Sequence, residues 1–317
     1  MQAPRPRGSA RDGAVTSPSV PRFSCAPASA ERDEPLVGTA THVRTWLLLE
    51  HSGSWGQDAL LDARLPDGLG AALKQQAKAY RAKVVLVRCS GARRDPPRLN
   101  VFVGDADPHR PRLEHGTVGD LREVLDLDLT TFRSGGSSGL SPHDGPLFCV
   151  CTNGRHDACC AELGRPIASA LSQSYPDETW EVSHIGGDRF AGNVLVLPEG
   201  LYYGRLDPRA ALAMASDHLA GELDLDHLRG RSSGSMATQV AEHHLRLQLG
   251  ATRIRDVSVQ RSTTDGSVTE ATMTAGGATY VVRVRTVVDP ASAARLTCRA
   301  QRDSPVPHHE VLSVERA

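Results

Sequence analysis

From Thr41 onward, apolar residues fall into short runs and helical stripes separated by turn residues. Trp46-Leu47-Leu48-Leu49 is an unbroken apolar run, as expected of a strand buried on both faces. Leu69, Leu73, Ala77 and Tyr80 recur at helical spacing and predict a helix over 68–80. Lys83 to Val87 predicts a second strand, Leu99 to Val103 a third after Pro96-Pro97, and Arg112 to Glu114 a short fourth. A short helix is expected over 120–125. The order then recurs. Leu147 to Cys151 is a strand. Residues 157–174 are helical, with a break near Gly164 and a restart at Pro166. Trp180 to Ser183 is a strand, and 193–197 and 201–204 form a hairpin about Pro198-Glu199-Gly200. Asp207 as N-cap and Pro208 in the first turn open a helix running to about Leu219.

Both halves read β-α-β-β-β-α. Trp46 to Leu49 aligns with Leu147 to Val150, and Lys83 to Cys89 with Glu178 to His184. The expectation is an internal duplication of a thioredoxin-like unit, with chemistry kept in the second copy. After Gly221 the pattern changes. A helix over 235–249 ends at Gly250, and 254–261, 267–274 and 279–287 alternate as strands of an antiparallel meander. The fold class is α/β: two tandem thioredoxin-like units plus a small C-terminal antiparallel α+β region. The expected divisions are a disordered N-terminal arm (1–40), a first unit without ligands (41–133), a second unit bearing the site (134–230), a helix plus three-stranded meander (231–288) and a loose tail (289–317).

Composition narrows the classes. With 36 Lys+Arg against 37 Asp+Glu, the net charge is -1, which argues against a nucleic-acid binder. No apolar run approaches the length of a membrane span, and residues 1–34 lack the apolar core of a secretory signal. A cytoplasmic, reducing setting is therefore expected. In such a setting the seven cysteines, four of them between Cys149 and Cys160, point to metal or redox chemistry rather than structural disulfides.

Cys151 is expected at the end of a strand, Cys160 in the first turns of the following helix, and His184 at the end of the next strand. Ligands at the ends of adjacent strands converge on one sheet edge. Gly186-Gly187 would let backbone approach a bulky ligand and offer N–H donors to it. Two thiolates plus imidazole suit a [2Fe–2S] cluster of mixed ligation, or zinc. There is no paired Cys-x-x-Cys of a zinc ribbon.

The stretches Cys151-Thr-Asn-Gly-Arg-His-Asp-Ala-Cys-Cys160, Trp180-Glu-Val-Ser-His-Ile-Gly-Gly-Asp-Arg-Phe-Ala-Gly-Asn193 and Leu195-Val-Leu-Pro-Glu-Gly-Leu-Tyr-Tyr-Gly-Arg205 resemble the sucrase/ferredoxin-like proteins, which carry a thioredoxin-like ferredoxin domain. The resemblance covers about residues 40–250. It implies a [2Fe–2S] cluster held by two cysteines, Cys151 and Cys160, and two histidines, of which His184 is the first. The second histidine falls on Asp188, a hard oxygen donor. The fourth ligand is therefore Asp188 or one of Cys159, Cys149 and His156, unless the cluster is absent.

Each of these residues also has a blander assignment. Cys149 is a small hydrophobe on the strand. His156 is an exposed helix-start residue, Arg155 and Asp157 form a local ion pair, and Asp188 is a turn residue. Cys89 belongs to the core, and Cys25 and Cys298 lie in flexible tails. The function implied is one-electron transfer to a redox partner protein, with no catalytic residue and no membrane partner. The alternatives are a thiol-redox protein using Cys151, Cys159 and Cys160, or a cluster-less binding module. No facing carboxylate pair for glycoside hydrolysis can be read from the chain.

Overall fold

The computed structural model describes residues 23–89 and 98–317; Pro96-Pro97 and the start of the N-terminal arm lie outside them. The chain begins with α1 (Cys25–Glu31), β1 (Thr45–Glu50), α2 (Ala59–Asp62), α3 (Leu69–Tyr80), β2 (Ala82–Cys89), β3 (Leu99–Asp105) and β4 (Arg112–Val118). A 3-10 turn (Leu121–Asp126), α4 (Leu129–Arg133) and the short β5 (Ser141–Pro142) follow. The second half holds β6 (Leu147–Cys151), α5 (Ala158–Ser174), β7 (Thr179–Val182), a 3-10 turn (Asp188–Phe190), β8 (Val194–Leu197), β9 (Leu201–Tyr203), α6 (Pro208–Leu219) and β10 (Leu228–Arg231). These strands make one ten-stranded sheet in the order β10-β9-β8-β6-β7-β2-β1-β3-β4-β5. Then come α7 (Met236–Leu249), β11 (Val257–Asp265), β12 (Val268–Ala275), β13 (Ala278–Val288) and β14 (Pro307–Arg316), the last four forming a second, antiparallel sheet.

The two halves repeat residue by residue. Leu47 lies between Val84 and Val103, and Phe148 between Thr179 and Val196. Leu48 lies between Val85 and Phe102, and Cys149 between Trp180 and Leu195. Phe102 is opposite His115, and Leu195 opposite Tyr202. Each unit thus has a parallel pair and two antiparallel strands in the same order, the thioredoxin-like arrangement. The units join where β2 meets β7. Val87 stands two residues beyond Val85 and Val182 two beyond Trp180, so they are counterparts, and they pair with each other in antiparallel register. An approximate two-fold axis therefore passes between these valines.

Alternation along the strands sends side chains to two faces. On one face Leu47 and Leu49 pack with Leu69 and Leu73 of α3, while Phe148 and Val150 pack with Ile167 and Leu171 of α5. On the other face both units share one core, with Trp46 and Leu48 beside Cys149 and Cys151. The Trp46 and Tyr202 rings are 6.2 Å apart, although β1 and β9 are five strands apart, roughly 24 Å in a flat sheet. The sheet is curled, and this shared face is its inside.

Three expectations are corrected. The helix over 157–174 does not break: α5 runs through Pro166. Gly164, Ile167, Ala168 and Leu171 continue the buried stripe of Cys160, and that packing outweighs the hydrogen bond lost at proline. The segment 289–317 is not a loose tail, because β14 pairs along β13 from Val288–Pro307 to Tyr280–Arg316. A register shift about Leu312 breaks its alternation, which hid the strand. The arm is ordered from Phe23, with α1 burying the small residues Cys25, Ala26 and Ser29 rather than an apolar stripe. Among the described residues no helix is long and apolar enough to cross a membrane.

Candidate functional site

Parallel pairing of β6 and β7 brings their C-terminal ends to one edge of the sheet. Cys151 is the last residue of β6, and its side chain points to the inside of the curl. The loop 152–157 then turns into α5. Asp157 caps that helix by accepting from the Cys159 N–H at 3.0 Å, which sets Cys160 in the first turn, also facing the inside core. His184 follows β7, and Asp188 opens the 3-10 turn after the glycine pair.

These groups meet. The Cys160 thiol donates to Asp188 Oδ1 at 3.1 Å, and His184 Nδ1 lies 3.2 Å from the same oxygen. That nitrogen is buried, and Asp188 is its ion-pair partner when the imidazole is protonated. His156, expected to be an exposed helix-start residue, instead stacks on His184 with ring centroids 3.6 Å apart. Its Nδ1 donates to the Gln57 carbonyl at 3.0 Å, which leaves Nε2 at 3.6 Å from Asp188 Oδ2. Asp188 is buried and faces two imidazoles and a thiol, more than a turn residue requires.

The electrostatics follow from this packing. The hydrogen bond from Cys160 holds the Cys151 thiol well below its usual range, against burial and with help from His184. The same contact with Cys151, together with burial, drives Cys160 well up. Burial opposes charge on His184, but Asp188 and Cys151 overcome it and raise the imidazole to about 9. Burial would raise Asp188, yet His184, His156 and Cys160 keep it below the usual carboxylate value. Lys83 donates to the Ile185 carbonyl at 3.1 Å, and burial lowers it to about 8. It remains protonated at neutral pH, beside Cys151 and Asp188.

The loop between His184 and Asp188 is held from behind. Gly186 and Gly187 have φ of 107° and 82°, which favours glycine. A Cβ on Gly187 would fall 2.1 Å from Arg229 Nη2, and one on Gly186 2.2 Å from Thr41 Oγ1. The space beside the glycines thus belongs to this chain's own Thr41 and Arg229. Arg229 is completely buried and donates to the carbonyls of Gly186 (3.0 Å) and Thr39 (2.5 Å) and to Asn193 Oδ1 (2.8 Å). On the open side, His156 and His184 face a cleft of about 580 Å³ that is also lined by Gln57, Asp58, Leu60 and Lys74.

The structure brings Cys151, Cys160, His184 and Asp188 together with His156, one of the alternative ligands, and adds Lys83 and Arg229, which no motif marks. Cys149 lies in the shared core, away from this edge, where burial pushes its thiol up to about 12. Cys89 is half-buried against the same core. Cys159 turns to the other side of α5 and hydrogen-bonds Ser24 and Cys298. Asp157 forms no ion pair with Arg155; it is buried and bonded to the Cys159 and Cys298 N–H groups. Cys25 and Cys298 do not lie loose, for both are buried against Cys159.

Two crystal structures of cysteine-to-serine variants of the thioredoxin-like [2Fe-2S] ferredoxin from Aquifex aeolicus are similar to this chain. They share 17% and 19% identity, cover 26% of this chain and 97% of theirs, and have a TM-score of 0.24. No curated protein matches. The sucrase/ferredoxin-like family model matches residues 36–230, more than half of the chain and the whole stretch bearing both units and the site, and on that match the chain belongs to the sucrase/ferredoxin-like family.

Proposed function

We propose that this protein is a thioredoxin-like ferredoxin. It holds a [2Fe–2S] cluster at Cys151, Cys160, His184 and Asp188 and exchanges single electrons with a redox partner protein. The observation carrying this reading is the convergence of two buried thiols, an imidazole and a buried carboxylate at one sheet edge, with His184 Nδ1 3.2 Å from Asp188 Oδ1. Two cysteines with imidazole ligation suit such a cluster. When bound, the cluster supplies the one-electron couple. The chain's residues do the rest. Cys151 and Cys160 serve one iron, and His184 with Asp188 serves the other. Burial of both sulfurs excludes water. Arg229 fixes the loop that presents His184 and Asp188, and the Lys83 ammonium favours an added electron. His156 and His184, facing the open cleft, mark the side on which a partner would approach.

Thiol–disulfide exchange fits less well, since it requires a thiolate open to attack, and Cys151 and Cys160 are each 1% exposed. The test is iron and acid-labile sulfide analysis, with visible absorption, of anaerobically purified protein. Two irons and two sulfides per chain are expected, lost in Cys151→Ser and Cys160→Ser and kept in Cys149→Ser. A colourless, iron-free parent would overturn the reading, as would iron retained in Cys151→Ser but lost in Cys149→Ser.

A further inference from the structure

On the opposite side of α5, three more cysteines meet. Cys25 comes from α1, Cys159 from the first turn of α5, and Cys298 from the segment between β13 and β14. The Cys159 and Cys298 sulfurs are 3.5 Å apart, and those of Cys298 and Cys25 are 3.6 Å apart. The Asp157 carboxylate oxygens lie 3.6 and 3.7 Å from Cys25 Sγ. One ligand atom from each of the four residues falls within 4.8 Å of the others, and all four residues are buried. We propose that Cys25, Asp157, Cys159 and Cys298 bind a single thiophilic divalent cation, zinc, as a clasp separate from the iron–sulfur site.

Distance, charge and topology each support this. Zinc bonded to sulfur at about 2.3 Å in a tetrahedron spaces its sulfurs about 3.8 Å apart. The sulfur separations here are close to that, whereas thiolates on different irons of a cluster are held farther apart by the cluster itself. Asp157 is fully buried, and among the described residues the contacts of its carboxylate are the Cys25 thiol and the N–H groups of Cys159 and Cys298 rather than a Lys, Arg or His. A buried carboxylate without a cation is costly. The N–H groups of Cys159 and Cys298 satisfy part of its demand, and a dication would supply the missing charge. Hydrogen bonds also reach the sulfurs: the Cys25 N–H donates to Cys298 Sγ at 3.4 Å, and Ser24 Oγ lies 3.4 Å from Cys159 Sγ. Such contacts orient thiolate ligands around a metal. The N-terminus of the 17-residue α5 favours thiolate there. The four residues join segments up to 273 positions apart, in a structure where all seven cysteines are free. A disulfide would pair two of the three sulfurs and leave the third and the carboxylate unmatched. Cys159 and Cys160 are neighbours in sequence, but Cys160 turns to Asp188 and Cys159 to Cys298.

The test measures zinc and iron per chain in full-length protein reconstituted with zinc under reducing conditions. One zinc is expected in the parent. Cys25→Ser/Cys298→Ser should lose zinc and keep any iron, and Cys151→Ser should lose iron and keep zinc, so failure of either reading shows separately. Asp157→Asn keeps an oxygen to cap α5 but removes the ligand's charge, and should weaken zinc at least about 10-fold, the lower bound for changes that leave the ligands themselves in place. Cobalt replacing zinc in the parent should give intense thiolate-to-cobalt charge-transfer bands and the visible bands of a tetrahedral ion. This readout decides the matter even where a cysteine variant fails to fold. Three results would overturn the proposal: no zinc or cobalt bound by the parent, zinc content unaffected by Cys25→Ser/Cys298→Ser, or a disulfide between any two of the three cysteines in non-reducing peptide maps of reduced, zinc-treated protein.

Discussion

At the scale of single residues, the informative position is Asp188. The resemblance to the sucrase/ferredoxin-like proteins implies histidine there, and the structure puts the carboxylate between Cys160, His184 and His156. In the proposed ferredoxin a carboxylate would add negative charge beside the cluster, and its oxygen is a poor match for iron–sulfur chemistry. Asp188→His is therefore expected to raise the potential and slow loss of the visible bands in air, while Asp188→Ala accelerates that loss. A redox titration and the bleaching rate check both, and two variants indistinguishable from the parent would remove Asp188 from the ligand set. Lys83 is a second lever. Its ammonium acts electrostatically on Cys151 and Asp188, so Lys83→Met should lower the potential without loss of iron. An unchanged potential would show that solvent screens it. Cys151, Cys160, His184 and Asp188 were legible in the sequence because two short motifs carry them. His156 was legible as an alternative ligand, but its stacking on His184, the buried Arg229 and the meeting of Cys25 with Cys298 were not, because they depend on contacts between segments far apart in the chain.

At the scale of elements, the site depends on how closely α5 lies against β6. A Cβ on Gly164 would come 2.1 Å from the Cys151 carbonyl oxygen and 3.1 Å from its carbon. Backbone on both sides cannot yield as a flexible side chain does. Helix propensity alone favours Gly164→Ala by about 1 kcal/mol, while overpacking costs about 1–3 kcal/mol. The clash should win. Gly164→Ala is expected to lower the urea midpoint and to loosen iron by moving Cys160 relative to Cys151. A variant more stable than the parent would mean that α5 can retreat. Reading Gly164 as a helix break took the residue's conformational freedom as its purpose, when its purpose is the missing side chain. Strands with clear runs, such as Trp46 to Leu49, were legible. So were helices with explicit caps, such as Asp207 at α6, which accepts from the Ala210 N–H at 2.7 Å. The strand β10, Leu228-Arg-Gly-Arg231, was not, since its buried arginines look like surface residues in a sequence. Nor was β14, whose alternation is shifted by the irregularity about Leu312.

At the scale of the molecule, two similar units share one inner core but not the same chemistry. By the matched registers, Glu50 in the first unit corresponds to Cys151, Cys89 to His184, and Leu48 to Cys149. Glu50 accepts from the Asn100 N–H at 2.9 Å and so ends its strand with a hydrogen bond where the second unit presents a thiol. Leu48 and Cys149 occupy equivalent places on the inside of the curl, so Cys149 serves the shared core as a small hydrophobe. This has a pH signature. Complete burial pushes the Cys149 thiol from 9.0 up to about 12. Between those values the unfolded chain releases a proton that the folded chain keeps, so the unfolded state is favoured as pH rises. Stability from this group is fully present below pH 9 and falls by about 1.4 kcal/mol per pH unit inside the window. Cys149→Ala removes the titration and lowers stability at neutral pH by leaving space in the core. Urea unfolding of the reduced parent and variant, below and above pH 9, should show the gap between them narrowing as pH rises. A gap that stays constant would mean that water reaches Cys149 through the inside of the curl, and that the two units do not close over a common dry core.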